Sequence, residues 1–431
     1  PMTITVYPPY GSTINNAIYT QFGGGTVDAF GRLRVSSPYT VFDAQSRFES
    51  TASYSYVTDT GGTTAYNTNK SSVNLNVTTT SGSHVLAQTR RTFPYQPGKS
   101  LLTMQTFTMN TATTNLTQRV GYYNGNNGVY LEQGPNGVTF VIRTYTGGSV
   151  DDTRYVAQSN WNGDKLDGTG PSGVTLDLTK TQILWFDFEW LGVGNVRCGF
   201  VINGQYVICH TFENANFQTA VYMQTAILPL RYEIFTTGTT AGAATLQMIC
   251  STVISEAGYQ QTSQRYIARR DSNGITVANN TGLDFTPLVS IRVNSSYYGA
   301  VVLPEGIQFY PTSSGSTGYE VVLIKNATLT GATWGGTALS GGQVDVDLAA
   351  TAATATANNI VQTSYAADAS QSTFSTDVPT GYNFSLQLGY NATLTGEGFA
   401  SSDTYTLAAR GLNNSPVGAG TGALSFYNLT V

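Results

Sequence analysis

Leu184, Phe186, Phe188 and Trp190 occupy alternate positions of one short segment. A two-residue apolar period is the mark of a strand with one face in a core, because successive strand side chains point to opposite sides. The same alternation recurs in residues 72–77, 101–109, 138–145 and 196–210. Between these runs lie clusters of turn formers, such as residues 124–128 (NGNNG) and 134–137 (GPNG). No long amphipathic helix interrupts the series. Strand following strand in this way predicts an all-β chain, a jelly-roll-like β-sandwich followed by a second, smaller β-sandwich domain.

Four regions follow from the pattern. Residues 1–35 read as an extended docking arm, broken by Pro8, Pro9 and Gly23 to Gly25. This arm carries Ile4, Val6, Tyr7, Tyr10, Ile14, Ile18, Tyr19 and Phe22 without a period that would bury them. Contact with another chain is therefore expected of it. Residues 36–264 form the jelly-roll-like domain, 265–280 a polar linker, and 281–431 the C-terminal sandwich. Within the last, strands are expected at 288–293, 300–303, 320–324, 384–388, 405–409 and 423–430. The Ala/Thr-rich stretch 347–363 is compatible with loop, strand or short helix. Residues 326–331 and 391–396 share the hexapeptide NATLTG, a weak sign of internal duplication.

Only 10% of the residues are charged, against roughly 25% in an ordinary soluble domain, and Thr, Ser, Asn and Gly take their place. Such a surface suits a protein that works outside a cell. The net charge of −5 argues against nucleic acid as a partner; Arg265, Arg269 and Arg270 read as a solvated linker. No apolar run is long enough to span a bilayer, and the first residues lack the layout of a secretion signal. A start at Pro1 reads as loss of an initiator Met, so synthesis in a cytoplasm is expected.

Asn203-Gly204 marks a two-residue hairpin turn within 196–210. That register sets Cys198 opposite Cys209 and His210 opposite Arg197, with Val196, Cys198, Phe200, Ile202, Val207 and Cys209 on the core face. Reduced, buried thiols are expected there rather than a strained cross-strand disulfide.

Candidate chemistry is sparse. Alternation places Asp187 and Glu189 on one strand face with Cα atoms roughly 6.6 Å apart, the arrangement of a glycosidase carboxylate pair. Jelly-roll glycosidases resembling laminarinases lead such a strand with a Glu nucleophile, where Trp185 stands here. A solvent-facing or Arg-paired strand face is the simpler reading, and no catalytic residue is assigned. His84 and His210 offer no readable relay. The acid pairs Asp151/Asp152, Asp164/Asp167 and Asp345/Asp347 lack the spacing of a calcium loop, so no metal or cofactor is expected. Tyr122, Tyr123, Tyr130, Trp161 and Tyr206 are candidate aromatic platforms for a glycan.

Residues 28–36 (DAFGRLRVS) and 38–43 (PYTVFD) resemble a segment of tailed-bacteriophage virion structural proteins. Similar stretches are 95–100 (YQPGKS), 118–122 (QRVGY), 161–173 (WNGDKLDGTGPSG), 228–233 (LPLRYE) and 250–259 (CSTVISEAGY), with looser matches at 290–293 (SIRV) and 301–304 (VVLP). The resemblance implies a component of the virion: a decoration, fibre, collar or baseplate-type subunit for assembly or host attachment. As partners it implies other virion proteins. A homo-oligomer, trimeric before dimeric, is expected. A glycan-binding receptor-recognition protein is the alternative reading, and a surface polysaccharide depolymerase the next. Phe30, Arg32, Leu33 and Arg34 are the candidate interaction residues of the first block.

Overall fold

The computed structural model describes residues 37–260, 262–271, 273–313, 318–335, 342–366, 374–377 (backbone only), 384–394, 399–412 and 418–429. The expected docking arm, with Phe30, Arg32, Leu33 and Arg34, lies outside the described residues. Among those described there is no α-helix, only short 3₁₀ turns such as Gln158–Asn160. The chain is all-β, as the alternation predicts.

Two antiparallel sheets make the first sandwich. The eight-stranded sheet runs in the order Gln205–Phe212, Val196–Ile202, Gln182–Phe188, Leu101–Thr108, Ala244–Ser255, Ser72–Val77, Thr63–Asn67, and Tyr39–Gln45 also pairs with Ala244–Ser255. The seven-stranded sheet runs Asp151–Ala157, Gly137–Thr144, Gly128–Gly134, Leu116–Tyr123, Leu230–Thr236, His84–Thr89, Tyr54–Asp59. Strands distant in sequence lie side by side in both sheets, the jelly-roll manner of joining strands. Between them Leu184, Phe186, Phe188, Val120, Tyr122, Phe140 and Ile234 form one closed core.

The second sandwich has a five-stranded sheet centred on Gly418–Asn428 and Val302–Pro311, and a seven-stranded one centred on Asp284–Val293 and Thr404–Gly411. The 265–280 linker is not a linker. Arg265–Arg269 and Ile275–Val277 are strands that pair with Gly418–Asn428. Their polarity misleads because Arg265, Ile267 and Arg269 face outward while Ala268 is buried, and charge is common on exposed strand positions near a sheet edge. Residues 384–386 form a 3₁₀ turn rather than a strand. Within the Ala/Thr-rich stretch, Ala352–Thr354 is a strand and Ile360–Ala366 begins a second.

The sandwiches share a seam. Val301, Leu303 and Phe384 pack into the core of the first one, and Phe384 meets the rings of Tyr39 and Tyr259 at 6.2 and 5.0 Å. Beside them Asp403, 1% exposed, pairs with Arg90 from the first sandwich and with Lys325 at 3.0 Å. It also accepts hydrogen bonds from the Asn326 side chain (2.8 Å) and the Gly389 N–H (3.0 Å). Arg90 in turn donates to Asn391 Oδ1 at 2.6 Å. The leading asparagines of both NATLTG copies thus converge on this one seam.

Candidate functional site

The Asn203-Gly204 turn forms as expected, with φ of 52° and 76° and with Ile202 opposite Gln205. Farther out, a bulge between Cys198 and Gly199 leaves Cys209 unpaired, so Cys198 faces His210 and Arg197 faces Thr211. The register expected for the two cysteines is therefore wrong by one residue. The cause lies outside the hairpin: the Ile208 and Cys209 carbonyls accept the N–H groups of Asp164 and Gly163, both at 2.9 Å. A bulge aims such groups sideways. Both thiols are buried and free all the same, and burial pushes Cys209 up to about 12. Burial and the nearby Arg154 hold His210 down at about 4.

Of the aromatic candidates, only Tyr206 is open to solvent, 53% exposed. Tyr122 faces the core, where its hydroxyl bonds the Phe93 and Ala226 carbonyls at 2.7 and 2.8 Å. Trp161 is buried, stacked on Phe140 at 4.6 Å, with Nε1 donating to the Val156 carbonyl. Tyr123 and Tyr130 face away from the core, yet both are buried. Solvation there is replaced by charge. Arg143 lies over both rings, at 5.7 and 5.3 Å, and Arg231 lies over Tyr123 at 5.5 Å. Strand register aligns Glu132, Arg119 and Glu233 in a row, and Arg119 pairs with both acids at 2.7 and 3.5 Å. Glu233 also receives the Tyr123 hydroxyl (3.0 Å) and binds His84 (2.9 Å). Burial favours its neutral form, but the His84 bond and the Arg119 charge prevail and hold it well below the usual carboxylate range. The rings of Tyr123 and Tyr130 are thus sealed by their own neighbours, and a hollow of ≈ 290 Å³ lies beside them among Arg119, Glu132, Asp152 and the exposed Tyr155.

The outer face of the eight-stranded sheet is different. Trp185 and Asp187 alternate with the core residues Leu184, Phe186 and Phe188 and so point outward. Asp187 lies opposite Arg197 in the register, and the two form an ion pair; the Ser100 hydroxyl donates to its other oxygen at 2.8 Å. Glu189 lies past the strand end, exposed. The acid that joins Asp187 is instead Glu256. Burial and the Asp187 charge raise it above the ordinary glutamate range. The Trp185 indole lies against Gly199, where a Cβ would come within 2.8 Å of it, and Tyr206 meets it edge-on at 5.5 Å. Together with Ile208 these residues line a shallow trough of ≈ 250 Å³. Glu256 follows a strand end and carries no sequence signal of its role. Arg197 was legible as a partner only once the strands flanking 189–195 were aligned.

The acid pairs considered for calcium are satisfied by protein donors. Asp164 accepts the Leu166 and Ser172 N–H groups at 2.9 and 2.7 Å, and Asp347 accepts those of Thr333, Ala349 and Ala350. Asp345 takes Arg292 and Asn294, and Asp152 takes Arg143. Such carboxylates fix loops.

No family model and no curated protein matches the sequence. Solved structures similar to it include the carbohydrate recognition domain of Emp47p (9% identity, 52% of this chain and 97% of that one, TM-score 0.31). Peanut lectin (13%, 51% and 98%, 0.30) and a Bacillus licheniformis beta-glucanase (10%, 49% and 96%, 0.31) are similar over comparable spans. At these identities the likeness is one of fold alone.

Proposed function

We propose that the chain is a non-catalytic subunit of the outer surface of a tailed-phage particle, acting in assembly, host attachment or both. The observation that carries this reading is the seam around Asp403. It joins two sandwiches through a common core and a buried ion-paired carboxylate, a build suited to bearing load between a particle and its surroundings. The sparse charge of the surface fits the same task, because hydroxyl and amide groups keep their solubility across changes of salt. The strand considered for a carboxylate pair holds Asp187 between Arg197 and Ser100, while Glu189 lies exposed past the strand end.

Antibody raised against the purified chain should decorate intact particles in electron micrographs. Purified particles that carry neither the label nor the polypeptide would overturn the proposal. Deletion of residues 1–25 should leave a folded body that oligomerises or joins particles poorly, and a truncated chain that assembles like the full one would remove the docking arm from the scheme.

A further inference from the structure

We propose that the trough of Trp185, Asp187, Arg197, Tyr206, Ile208 and Glu256 binds a neutral saccharide without cleaving it. This rests on the host-attachment side of the reading above. Three features carry it. First, Tyr206 is a half-exposed ring braced edge-on by a buried indole, a rigid apolar platform of the kind that the C–H face of a sugar ring stacks on. Second, hydrogen-bonding groups converge beside that platform: the Asp187 and Glu256 carboxyls and the Arg197 guanidinium. Trp185 lines the same wall, and its indole nitrogen is buried with no partner among the described residues. An apolar wall with a few placed polar groups is the general form of a small-molecule site. Third, the size is right. The trough, ≈ 250 Å³, is smaller than a drug-sized cleft of about 300–1,000 Å³ and takes one ring or two.

Charge selects among ligands. Asp187 and Arg197 are paired with each other, so neither a cation nor an anion finds an unmatched partner in that pair. Addition of a peptide strand is disfavoured at the neighbouring sheet edge, where Gly163 and Asp164 already occupy the Ile208 and Cys209 carbonyls. Hydroxyl groups, each both donor and acceptor, suit what remains. Cleavage is not expected, because Asp187 has one oxygen on Arg197 and the other on Ser100.

The test titrates the full chain with maltotetraose, cellotetraose, mannotetraose and, as the anionic control, tetragalacturonate, following tryptophan fluorescence and calorimetric heat. At least one neutral probe should bind, and Tyr206→Ala should weaken it about tenfold or more. Tyr206 is exposed, so that variant keeps the fold; Glu256→Gln, which keeps the shape, should weaken the same probe. No binding by any neutral probe, a preference for tetragalacturonate, or unchanged affinity in Tyr206→Ala overturns the site. It would leave the particle location untouched, since antibody labelling decides that separately. New reducing ends that vanish in Asp187→Ala would overturn the non-catalytic reading itself.

Discussion

The two outer faces of the first sandwich carry the same side chains and use them in opposite ways. Each sets an aromatic residue opposite a glycine on the neighbouring strand: Tyr130 across from Gly121, Trp185 across from Gly199. A Cβ at Gly121 would lie 2.5 Å from Tyr130 Cβ, and one at Gly199 2.8 Å from the Trp185 ring. Each then adds arginines and acids. On the seven-stranded face the register puts Arg119 between Glu132 and Glu233, so charges cancel in a row and the rings beneath are sealed. On the eight-stranded face Arg197 and Asp187 make a single pair and Tyr206 stays open. The difference teaches that facing away from a core is not the same as facing water. What decides is whether neighbouring strands supply matched partners at each rung.

Removing a charge should affect the closed face most. Glu233→Ala leaves Arg119 and His84 short of a partner in a buried setting, and chemical denaturation should show a loss of about 3–5 kcal/mol. A loss below about 1 kcal/mol would place the pair in the weak class of surface ion pairs and end the contrast between the faces.

Acid should weaken the closed face as well. Glu233 is held below its unfolded value, so the stability it contributes is complete above the ordinary glutamate value of 4.5 and is lost as pH falls toward the lower folded value. Asp403, depressed by Lys325 and Arg90 against the opposing effect of burial, behaves alike below 3.8. His210 is depressed too, so its contribution fades earlier, as pH falls from 6.5 to about 4. Thermal melts across this range should show Glu233→Gln with a shallower acid limb. An unchanged limb would mean that other carboxylates set it.

The two glycines give a matched pair. Gly121→Ala and Gly199→Ala should each cost about 1–3 kcal/mol by overpacking, because the added carbon meets backbone in both, Val129 O at 2.4 Å and Val207 O at 2.0 Å. Only Gly199→Ala should also disturb the tryptophan fluorescence of the open face. Equal spectral change in both would deny Trp185 its place against Gly199.

The smallest effect is expected at Tyr206. Its removal to Ala should change stability by no more than about 0.5 kcal/mol, the behaviour of a side chain kept for contact rather than for folding. A larger loss would make it a lid of the core.

The sequence by itself determined the strands, because alternation and turn formers are local. Residues 72–77, 101–108 and the Asn203-Gly204 hairpin needed no knowledge of the rest of the chain. It also determined that Asp187 would sit on the face opposite the core residues Leu184, Phe186 and Phe188. Tertiary structure decided the rest. The bulge at Cys209 exists because a loop 45 residues earlier offers two N–H groups to its edge. Tyr123 and Tyr206 are both outward tyrosines in sequence, and only the strands beside them made one a sealed ring and the other an open one. Arg265 to Arg269 read as linker because half of a strand's residues face solvent whatever the other half buries. Side-chain direction is a property of one strand, whereas cover is a property of its neighbours, and those neighbours are set by pairings between residues more than a hundred positions apart.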